Sequence, residues 1–174
     1  MRAAQRAEFE EFARARSGEL FRTAWLLAGD RHSADDLVQE TLTRIYVRWG
    51  RVREAGNVAA YARTVLVRTF IDGRRRKSSG ERPMAEPPEQ AATDGVDVEL
   101  RHSLVEALRS LAPLDRTVVV QRYLLDQDVA SVAADLQLTN QAVRSRSSRA
   151  LARLRDQLGE EFLTVPTLEE GQHR

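Results

Sequence analysis

Cysteine is absent from this 174-residue chain, and histidine occurs only three times. The missing thiols exclude disulfides, iron–sulfur clusters, thiolate metal sites and a cysteine nucleophile. The histidines, His32, His102 and His173, are far apart in the sequence and match no metal-ligand motif. No Ser/His/Asp set, glycine-rich phosphate loop or pair of catalytic acids stands out either. We therefore expect no cofactor, no bound metal and no catalytic residue.

Long hydrophobic runs are also missing. The longest uncharged apolar stretch, residues 24–28, is far too short to span a bilayer. The start of the chain, MRAAQRAEFEEF, lacks the apolar core of a signal peptide. Apolar residues make up 42% and charged residues 30% of the chain, which is typical of a folded globular protein. The sequence thus predicts a cytoplasmic protein with no direct membrane insertion.

The net charge of +1 conceals a strong segregation of charge along the chain. Residues 61–80 hold six basic side chains and one acidic one, whereas residues 81–100 hold one basic and six acidic. Residues 136–155 then hold five arginines and no acid, and residues 159–174 hold four acids and one arginine. Two basic islands separated by an acidic strip indicate two contacts with a polyanion.

The periodicity of the chain predicts an all-α protein with two small helical domains. Residues 81–97 contain three of the five prolines and no hydrophobic periodicity, which indicates a flexible acidic linker. On either side the apolar spacing is helical. The predicted division is a first domain at 1–78, a linker at 79–98, a second domain at 99–158 and an acidic tail at 159–174.

Three helices are predicted in the first domain. Ser33 and Asp36 resemble a capping box at the start of the second of them. The predicted bounds are 6–28, 33–49 and 57–77, with a polar loop at 50–56.

The segment from Val129 onward, VASVAADLQLTNQAVRSRSSRALARLR, has the spacing of a helix-turn-helix. Ala133 would allow a close helix crossing, and Gln137 stands where glycine usually supplies left-handed geometry. Thr139 is placed to cap the second helix by accepting from a backbone N–H near Ala142. Four apolar positions would lock the two helices together: Val132, Leu136, Leu138 and Val143.

The second helix of this motif would expose side chains that hydrogen-bond base edges in the major groove. An ordinary bundle with a solvated arginine face is the alternative. The density of arginine without acid in residues 136–155 favours DNA binding. The exposed residues would be Asn140, Gln141, Arg144, Ser145, Ser148 and Arg149.

Four consecutive cations, residues 74–77, close the third predicted helix. The helix dipole favours such a charged end, but four cations exceed what the dipole needs and favour phosphate contact. Tyr61, with Arg51, Arg53 and Asn57, offers stacking and hydrogen bonds to an unstacked base. Taken alone, Tyr61 is better explained as a core residue.

Acidic and amide side chains cluster on the second predicted helix, at Asp35, Asp36, Gln39 and Glu40. A carboxylate metal site is conceivable because Asp36 and Glu40 are one turn apart. Di-metal bundles use Glu-x-x-His, however, and no histidine follows here. A solvated face and a protein-docking face both remain open.

Over roughly residues 15–77 and 100–158, the chain resembles the extracytoplasmic-function (ECF) sigma factors, small bacterial relatives of sigma-70. ADDLVQETLTRIYVRW looks like the family's signature for binding core RNA polymerase. YARTVLVRTFIDGRRR resembles the segment that recognises and opens the −10 element. Residues 107–155 look like region 4, which reads the −35 element. The sequence of these motifs is similar to that of the actinobacterial SigE-like subset. Tyr61 stands where many members have tryptophan, and Arg68 stands where many have asparagine.

The resemblance implies a promoter-specificity factor without enzymatic activity. Its implied partners are promoter DNA, the clamp and flap of core RNA polymerase, and an anti-sigma factor. The implied contacts with core polymerase are Asp35, Asp36, Leu37, Gln39, Glu40 and Thr43. The implied −10 contacts are Arg51, Arg53, Asn57, Tyr61, Arg68, Arg74, Arg75 and Arg76. The implied −35 contacts are Asn140, Gln141, Arg144, Ser145, Arg146, Ser148 and Arg149.

Two other function classes compete with this interpretation. A dimeric helix-turn-helix regulator would act without core polymerase, but the sequence offers no dimerising heptad or exposed strand. A metal-dependent or nucleic-acid-processing enzyme would need a catalytic constellation, and none is recognisable.

Overall fold

A computed structural model describes residues 3–54, 56–78 and 96–159, and these residues form helices and short connections without any strand. The predicted all-α class is confirmed. The linker core and the acidic tail that the sequence predicts lie outside the described residues. In chain order the helices are α1 (Ala3–Ala28), α2 (Arg31–Val47), α3 (Trp49–Val52), α4 (Val58–Ser78), α5 (Val96–Ser110), α6 (Pro113–Val119), a π-helical turn (Val120–Leu124), α7 (Val129–Leu136) and α8 (Asn140–Leu158).

The start of α2 differs from the sequence prediction. Asp30 is the N-cap, and its carboxylate accepts from the backbone N–H of Ser33 at 2.7 Å. The proposed capping box on Ser33 and Asp36 is therefore wrong, because Ser33 already lies inside the helix. Asp30 satisfies one of the N–H groups that every helix start leaves without a partner.

The region predicted as a polar loop contains a short helix. Trp49 and Val52, one turn apart in α3, are both buried. The Trp49 ring packs against Phe9 of α1, with 5.3 Å between ring centroids. This i, i+3 apolar pair anchors the connection between α2 and α4 to the core.

One apolar core joins the amino-terminal half of the protein (residues 3–78) to its carboxy-terminal half (residues 96–159). The first half contributes Leu27 and Leu66, and the second contributes Leu108 among others, all fully buried. Burial of a side chain of this size stabilises the fold by about 2 kcal/mol. The second half adds Leu111, Val119, Val120, Ala150 and Leu154 to the same cluster.

Arg116 forms hydrogen bonds to both halves of the protein next to this core. The side chain is only 5% exposed, and its guanidinium donates to the carbonyl of Leu27 in α1 at 2.5 Å. It also donates to the carbonyls of Arg109 and Leu111, at 2.8 and 3.3 Å. Burial, and then repulsion from Arg74 and Arg109, lowers the pKa of Arg116 to about 10. The group therefore still carries its charge at neutral pH.

The turn between α1 and α2 requires glycine. Gly29 has φ +88°, in the left-handed region. A Cβ atom at this position would lie 2.4 Å from Cδ of Arg109. Both the backbone conformation and the close approach of the Arg109 side chain disfavour larger residues.

The helix-turn-helix forms as the sequence predicts. Val132, Ala133 and Val143 are buried in a separate small core with Val118. Gln137 adopts the left-handed conformation, with φ 55° and ψ 44°. The predicted cap and the partly buried positions are also confirmed: Thr139 accepts from the N–H of Ala142 at 3.1 Å, and Leu136 and Leu138 pack on this core.

Candidate nucleic-acid interfaces

The second helix of the helix-turn-helix presents a polar face, here called the α8 face. Val143 and Ser147 of this helix point inward, at 0% and 5% exposure. The Arg149 guanidinium donates to the carbonyl of Ser145 at 3.3 Å, which holds the side chain along the helix. Six of the predicted −35 residues are exposed on α8: Asn140, Gln141, Arg144, Ser145, Ser148 and Arg149.

Arg146 has a different position from the other predicted −35 residues. Its guanidinium forms an ion pair with Asp115 of α6 at 2.6 Å, and the side chain is 31% exposed. Arg146 thus links α8 to α6 in this structure, and the expectation of a −35 contact is not supported by its placement.

A shallow groove lies beside the α8 face and is lined in part by Arg122 and Tyr123. The Arg122 guanidinium lies 5.5 Å from the ring centroid of Tyr123, and Tyr123 is 47% exposed. Both residues belong to the π-helical turn that follows α6. Four residues of α8 complete the groove: Arg144, Ser148, Leu151 and Arg155. Their spacing of three or four positions is visible in the sequence and places them on one side of the helix.

The predicted −10 residues of α4 are largely engaged within the protein. Arg68 donates through Nε to the carbonyl of Asp135 at 2.7 Å and through a terminal nitrogen to that of Ala134 at 3.1 Å. Arg74 lies over the Phe70 ring, 5.5 Å from its centroid. Tyr61 is half-buried against the core, and Arg75 and Arg76 are exposed.

The other predicted −10 residues lie in α3 and in the connection between α3 and α4. Arg53 pairs with Glu8 of α1 at 2.8 Å, and this carboxylate raises the pKa of the Arg53 guanidinium. The Asn57 side chain accepts from the N–H of Ala60 at 2.9 Å, so it caps α4. Arg51 is exposed. The −10 set thus combines exposed cations with side chains that hold the local fold.

The α2 residues predicted to bind polymerase share an exposed surface, here called the α2 face, with one exception. Leu37 is only 8% exposed and packs in the core, so its expected docking contact is corrected to a structural role. On the same helix Glu40 pairs with Arg44 at 2.6 Å, and the His32 ring lies 3.5 Å from the Asp36 carboxylate. The exposed members are Asp35, Asp36, Gln39, Glu40 and Thr43.

Within residues 3–54, 56–78 and 96–159, no cluster of three histidine, aspartate or glutamate side chains is arranged to hold a metal ion. No helix in the described part of the chain is long and apolar enough to cross a membrane.

A helix-turn-helix beside a second basic helix is an arrangement typical of DNA-binding proteins. Comparison with known families makes this specific: the Sigma-70 region 2 model matches residues 12–80, and the Sigma-70, region 4 model matches residues 101–154. Together these matches cover most of the chain. The protein belongs to the sigma-70 family of RNA polymerase sigma factors, in its ECF group.

Curated relatives agree with this assignment. The chain is 36% identical over 163 residues to the RNA polymerase sigma-E factor of Streptomyces coelicolor, covering 93% of this chain and 92% of the relative. It is 34% identical over 162 residues to the ECF RNA polymerase sigma factor SigL of Mycobacterium tuberculosis, covering 88% of each. The resemblance to the SigE-like type and the function of a sigma factor acting with core polymerase are thereby confirmed.

A solved structure shows the same fold. It is the sigma factor RpoE from Bartonella quintana, co-crystallised with the anti-sigma factor NepR. The TM-score is 0.66 at 22% sequence identity, covering 87% of this chain and 96% of the other.

Proposed function

We propose that the protein recruits core RNA polymerase through the α2 face and directs it to promoters through two unlike DNA contacts. The observation that carries this proposal is the presence of two separate basic surfaces. One is the α8 face of a helix-turn-helix, and the other is α4 with the preceding loop. A single DNA element would need only one of them.

The α8 face is suited to duplex −35 DNA. Its arginine, asparagine, glutamine and serine side chains supply the donors and acceptors that read base edges in the major groove. The first helix of such a motif crosses the phosphate backbone, which assigns that position to α7. The groove formed by Arg122, Tyr123 and Arg155 extends the cationic surface beside the reading helix.

The α4 surface is suited to the melted −10 strand. A half-buried tyrosine at Tyr61 offers a ring for base stacking, and Arg51 and residues 74–76 offer cations for the backbone. Stacking combined with cationic contact is how proteins hold single strands, in which a base leaves the helical stack.

The α2 face is assigned to the clamp of the largest polymerase subunit. Replacing Asp36 by arginine should weaken binding to core polymerase about tenfold, or about 1.4 kcal/mol, because it reverses charge at a docking surface. Glu10→Arg makes the same charge change on the exposed side of α1 and serves as the control. A pull-down in which both variants bind core polymerase equally would remove the α2 face from the interface.

Other properties follow from the family. The polymerase forms the phosphodiester bonds, so this chain needs no catalytic residue and no cofactor. Its place of action is the cytoplasm, where core polymerase and DNA are found. An anti-sigma factor is a further partner, by analogy with the structurally similar RpoE chain, which was crystallised with one. The alternative of a dimeric regulator acting without polymerase is disfavoured by the family assignment.

Run-off transcription tests the proposal. Core polymerase should give a specific transcript from a template carrying the chain's own upstream region only when this protein is added. Footprinting of the complex should show two unlike protected patches about two helical turns apart. One symmetric patch that forms without core polymerase would instead indicate a dimeric regulator.

A further inference from the structure

The shallow groove beside the α8 face, here called the α8 groove, holds positive charge that the described residues do not neutralise. Three arginines line it, and no acid does. Arg122 donates to the carbonyl of Gln127 and lies over the Tyr123 ring. Arg144 and Arg155 are exposed and form no hydrogen bond or ion pair within the described part of the chain. The groove therefore offers two unpaired cations along one side of α8.

The floor of the α8 groove is partly apolar, a feature that a bare phosphate backbone would not use. Val129 and Leu151 line it as half-buried side chains, and Tyr123 beside them is 47% exposed. Ser147 is only 5% exposed, and its hydroxyl has no hydrogen-bond partner among the described residues. A buried hydroxyl without a partner costs free energy until one reaches it. These features favour an occupant that combines negative charge with apolar side chains.

The acidic tail has this chemistry and starts next to the groove. Residues 159–174 hold four acids and one arginine, and the sequence directly after Gly159 is Glu-Glu-Phe-Leu. The other acidic strip, residues 81–100, has no aromatic residue. Helix α8 ends at Gly159, whose φ of +79° lies in the region that favours glycine, so the chain need not continue along the helix axis. Residues 160–174 lie outside the described residues, and their placement is inferred from sequence and distance.

The distances put the tail in register with the groove. Arg155 lies about 6 Å, Leu151 about 12 Å and Ser148 about 17 Å before Gly159, at a rise of 1.5 Å per residue. An extended chain that runs back from Gly159 advances about 3.3 Å per residue. The two acids at its start would then lie beside Arg155, and the phenylalanine and leucine that follow would lie beside Leu151. Thr164 would come level with Ser148.

We propose that the acidic tail binds in the α8 groove and competes there with the phosphate backbone of −35 DNA for Arg144 and Arg155. The binding itself needs no polymerase, whereas the competition rests on the proposed function of the α8 face. A segment of the same chain acts at an effective concentration of about 1 mM, so a weak contact suffices. The tail lowers the affinity of the α8 face for duplex DNA, and salt weakens this effect because it screens exposed charges.

The absence of cysteine allows a cross-linking test within the full chain. In Ser148→Cys/Thr164→Cys, a short bismaleimide should join the tail to the groove. Arg153→Cys/Thr164→Cys is the matched control, because Arg153 is exposed, five positions nearer to the tail in sequence, and about 140° around α8 from Ser148. The Ser148 pair should react about threefold faster or more. A tail that does not bind the groove would favour the control instead. Equal or faster reaction of the Arg153 pair overturns the proposal and leaves the groove to the DNA backbone alone.

The role of charge is tested in the same variant. Adding Glu160→Gln and Glu161→Gln to the Ser148/Thr164 pair should slow its cross-linking about threefold, because the tail then loses its ion pairs with Arg155. The preference over the control pair should also vanish at 1 M salt, where exposed charges are screened beyond about 3 Å. A cross-linking rate that ignores both changes contradicts a contact made by the tail's acids.

Promoter binding by the holoenzyme measures the competition. Glu160→Gln with Glu161→Gln should raise the affinity for promoter DNA about threefold in 50 mM salt and much less in 300 mM salt. Glu10→Gln with Glu11→Gln removes the same charge from exposed positions of α1 and serves as the control, with an expected change below about twofold. If both variants raise the affinity equally, net charge alone explains the gain, and the competition is excluded.

The possible failures are distinct. If the Ser148 pair cross-links faster but the tail variant binds promoter DNA like the unmodified chain, the tail does not compete with DNA, and the proposal falls while the proposed function stands. If the holoenzyme of the unmodified chain does not bind promoter DNA, the proposed function fails and the competition fails with it. The cross-linking rates still decide whether the tail binds the groove.

Discussion

The two basic surfaces of this sigma factor differ in what covers them. On α8, Arg144 and Arg149 face solvent beside other polar side chains. On α4, Arg68 is bonded to the carbonyl end of α7, and Arg74 lies over Phe70. In the sequence, both segments are recognisable as arginine-rich. The difference teaches that the number of cations does not define a DNA-binding surface; the partners that each guanidinium already has must be known.

Salt should have the largest effect on this comparison. If the α8 face and residues 74–77 neutralise about six to eight phosphates, log affinity for promoter DNA should fall against log salt with a slope near −5 to −7. Affinity would then fall about 10³- to 10⁴-fold between 50 and 200 mM salt. Fluorescence anisotropy of the holoenzyme, corrected for the slope of core polymerase alone, measures this.

Variants that remove charge separate the contribution of the α8 face to that slope from the contribution of the basic end of α4. Arg144→Gln with Arg153→Gln, both exposed on α8, should reduce its magnitude by about 2, because each lost phosphate contact removes about 0.9. Arg74→Gln with Arg75→Gln should do the same only if α4 is uncovered in the holoenzyme. A corrected slope near zero for the unmodified chain would mean that both surfaces are merely solvated.

Arg116 tests how firmly the halves are joined. Arg116→Met leaves three buried or half-buried carbonyls without their donor, and it should destabilise the fold by about 3–4 kcal/mol in urea denaturation. The control, Arg109→Met, removes a surface pair with Glu106 and should cost about 1 kcal/mol. Equal losses for the two variants would contradict a special role for Arg116.

The pKa of Arg116 adds a pH dependence of defined sign. Burial lowers it to about 10 from an ordinary value of 12.5. Between these values the unfolded chain binds more protons than the folded one, so this group's contribution to stability rises with pH. Below pH 10 the penalty for burying the charge is fully present. The free energy of unfolding of Arg116→Met, measured at pH 8 and pH 10.5 and compared with that of the unmodified chain, should lack this rise with pH.

Base reading by the α8 face should have a somewhat smaller effect. Arg149→Ala should cost about 1–3 kcal/mol at the preferred promoter and relax preference at one −35 position. Arg153→Ala lies further along the helix and should have a smaller, sequence-independent effect. A series of −35 base substitutions, transcribed with both variants, measures this. Equal weakening of every template by Arg149→Ala would make Arg149 a phosphate contact instead.

The ion pair between Arg146 and Asp115 should give the smallest effect. A double-mutant cycle with Arg146→Ala and Asp115→Ala should show a coupling energy of about 1 kcal/mol in stability, since both side chains are partly shielded from water. Asp115→Ala should leave promoter preference unchanged. If Arg146→Ala changes the −35 preference and Asp115→Ala does not, Arg146 contacts −35 DNA after all.

Local signals in the sequence predicted the helix-turn-helix well. The left-handed turn at Gln137 and the cap at Thr139 depend on residues within a few positions, and the structure has both. The helix α3 and the cap at Asp30 were missed for a related reason. One apolar pair is too short for periodicity to stand out, and Ser33 offered a competing cap.

Contacts between distant parts of the chain could not be predicted in this way. Arg68 and Asp135 are 67 positions apart, and Arg116 and Leu27 are 89 apart. Each bond ends on a backbone carbonyl, and every residue has one, so the side-chain sequence carries no sign of the acceptor. The contact between α7 and α4 is therefore revealed only by the three-dimensional structure.

The turn at Gly29 has a consequence for how this family can vary. The space that a Cβ atom would need is filled by Arg109, which lies 80 positions later and whose carbonyl helps to hold Arg116. A mutation that enlarges residue 29 would thus need a shorter side chain at 109, and it would still carry the strain of the left-handed backbone. Among relatives that share this packing, the two positions should co-evolve. Relatives without that correlation would be ones whose halves meet differently.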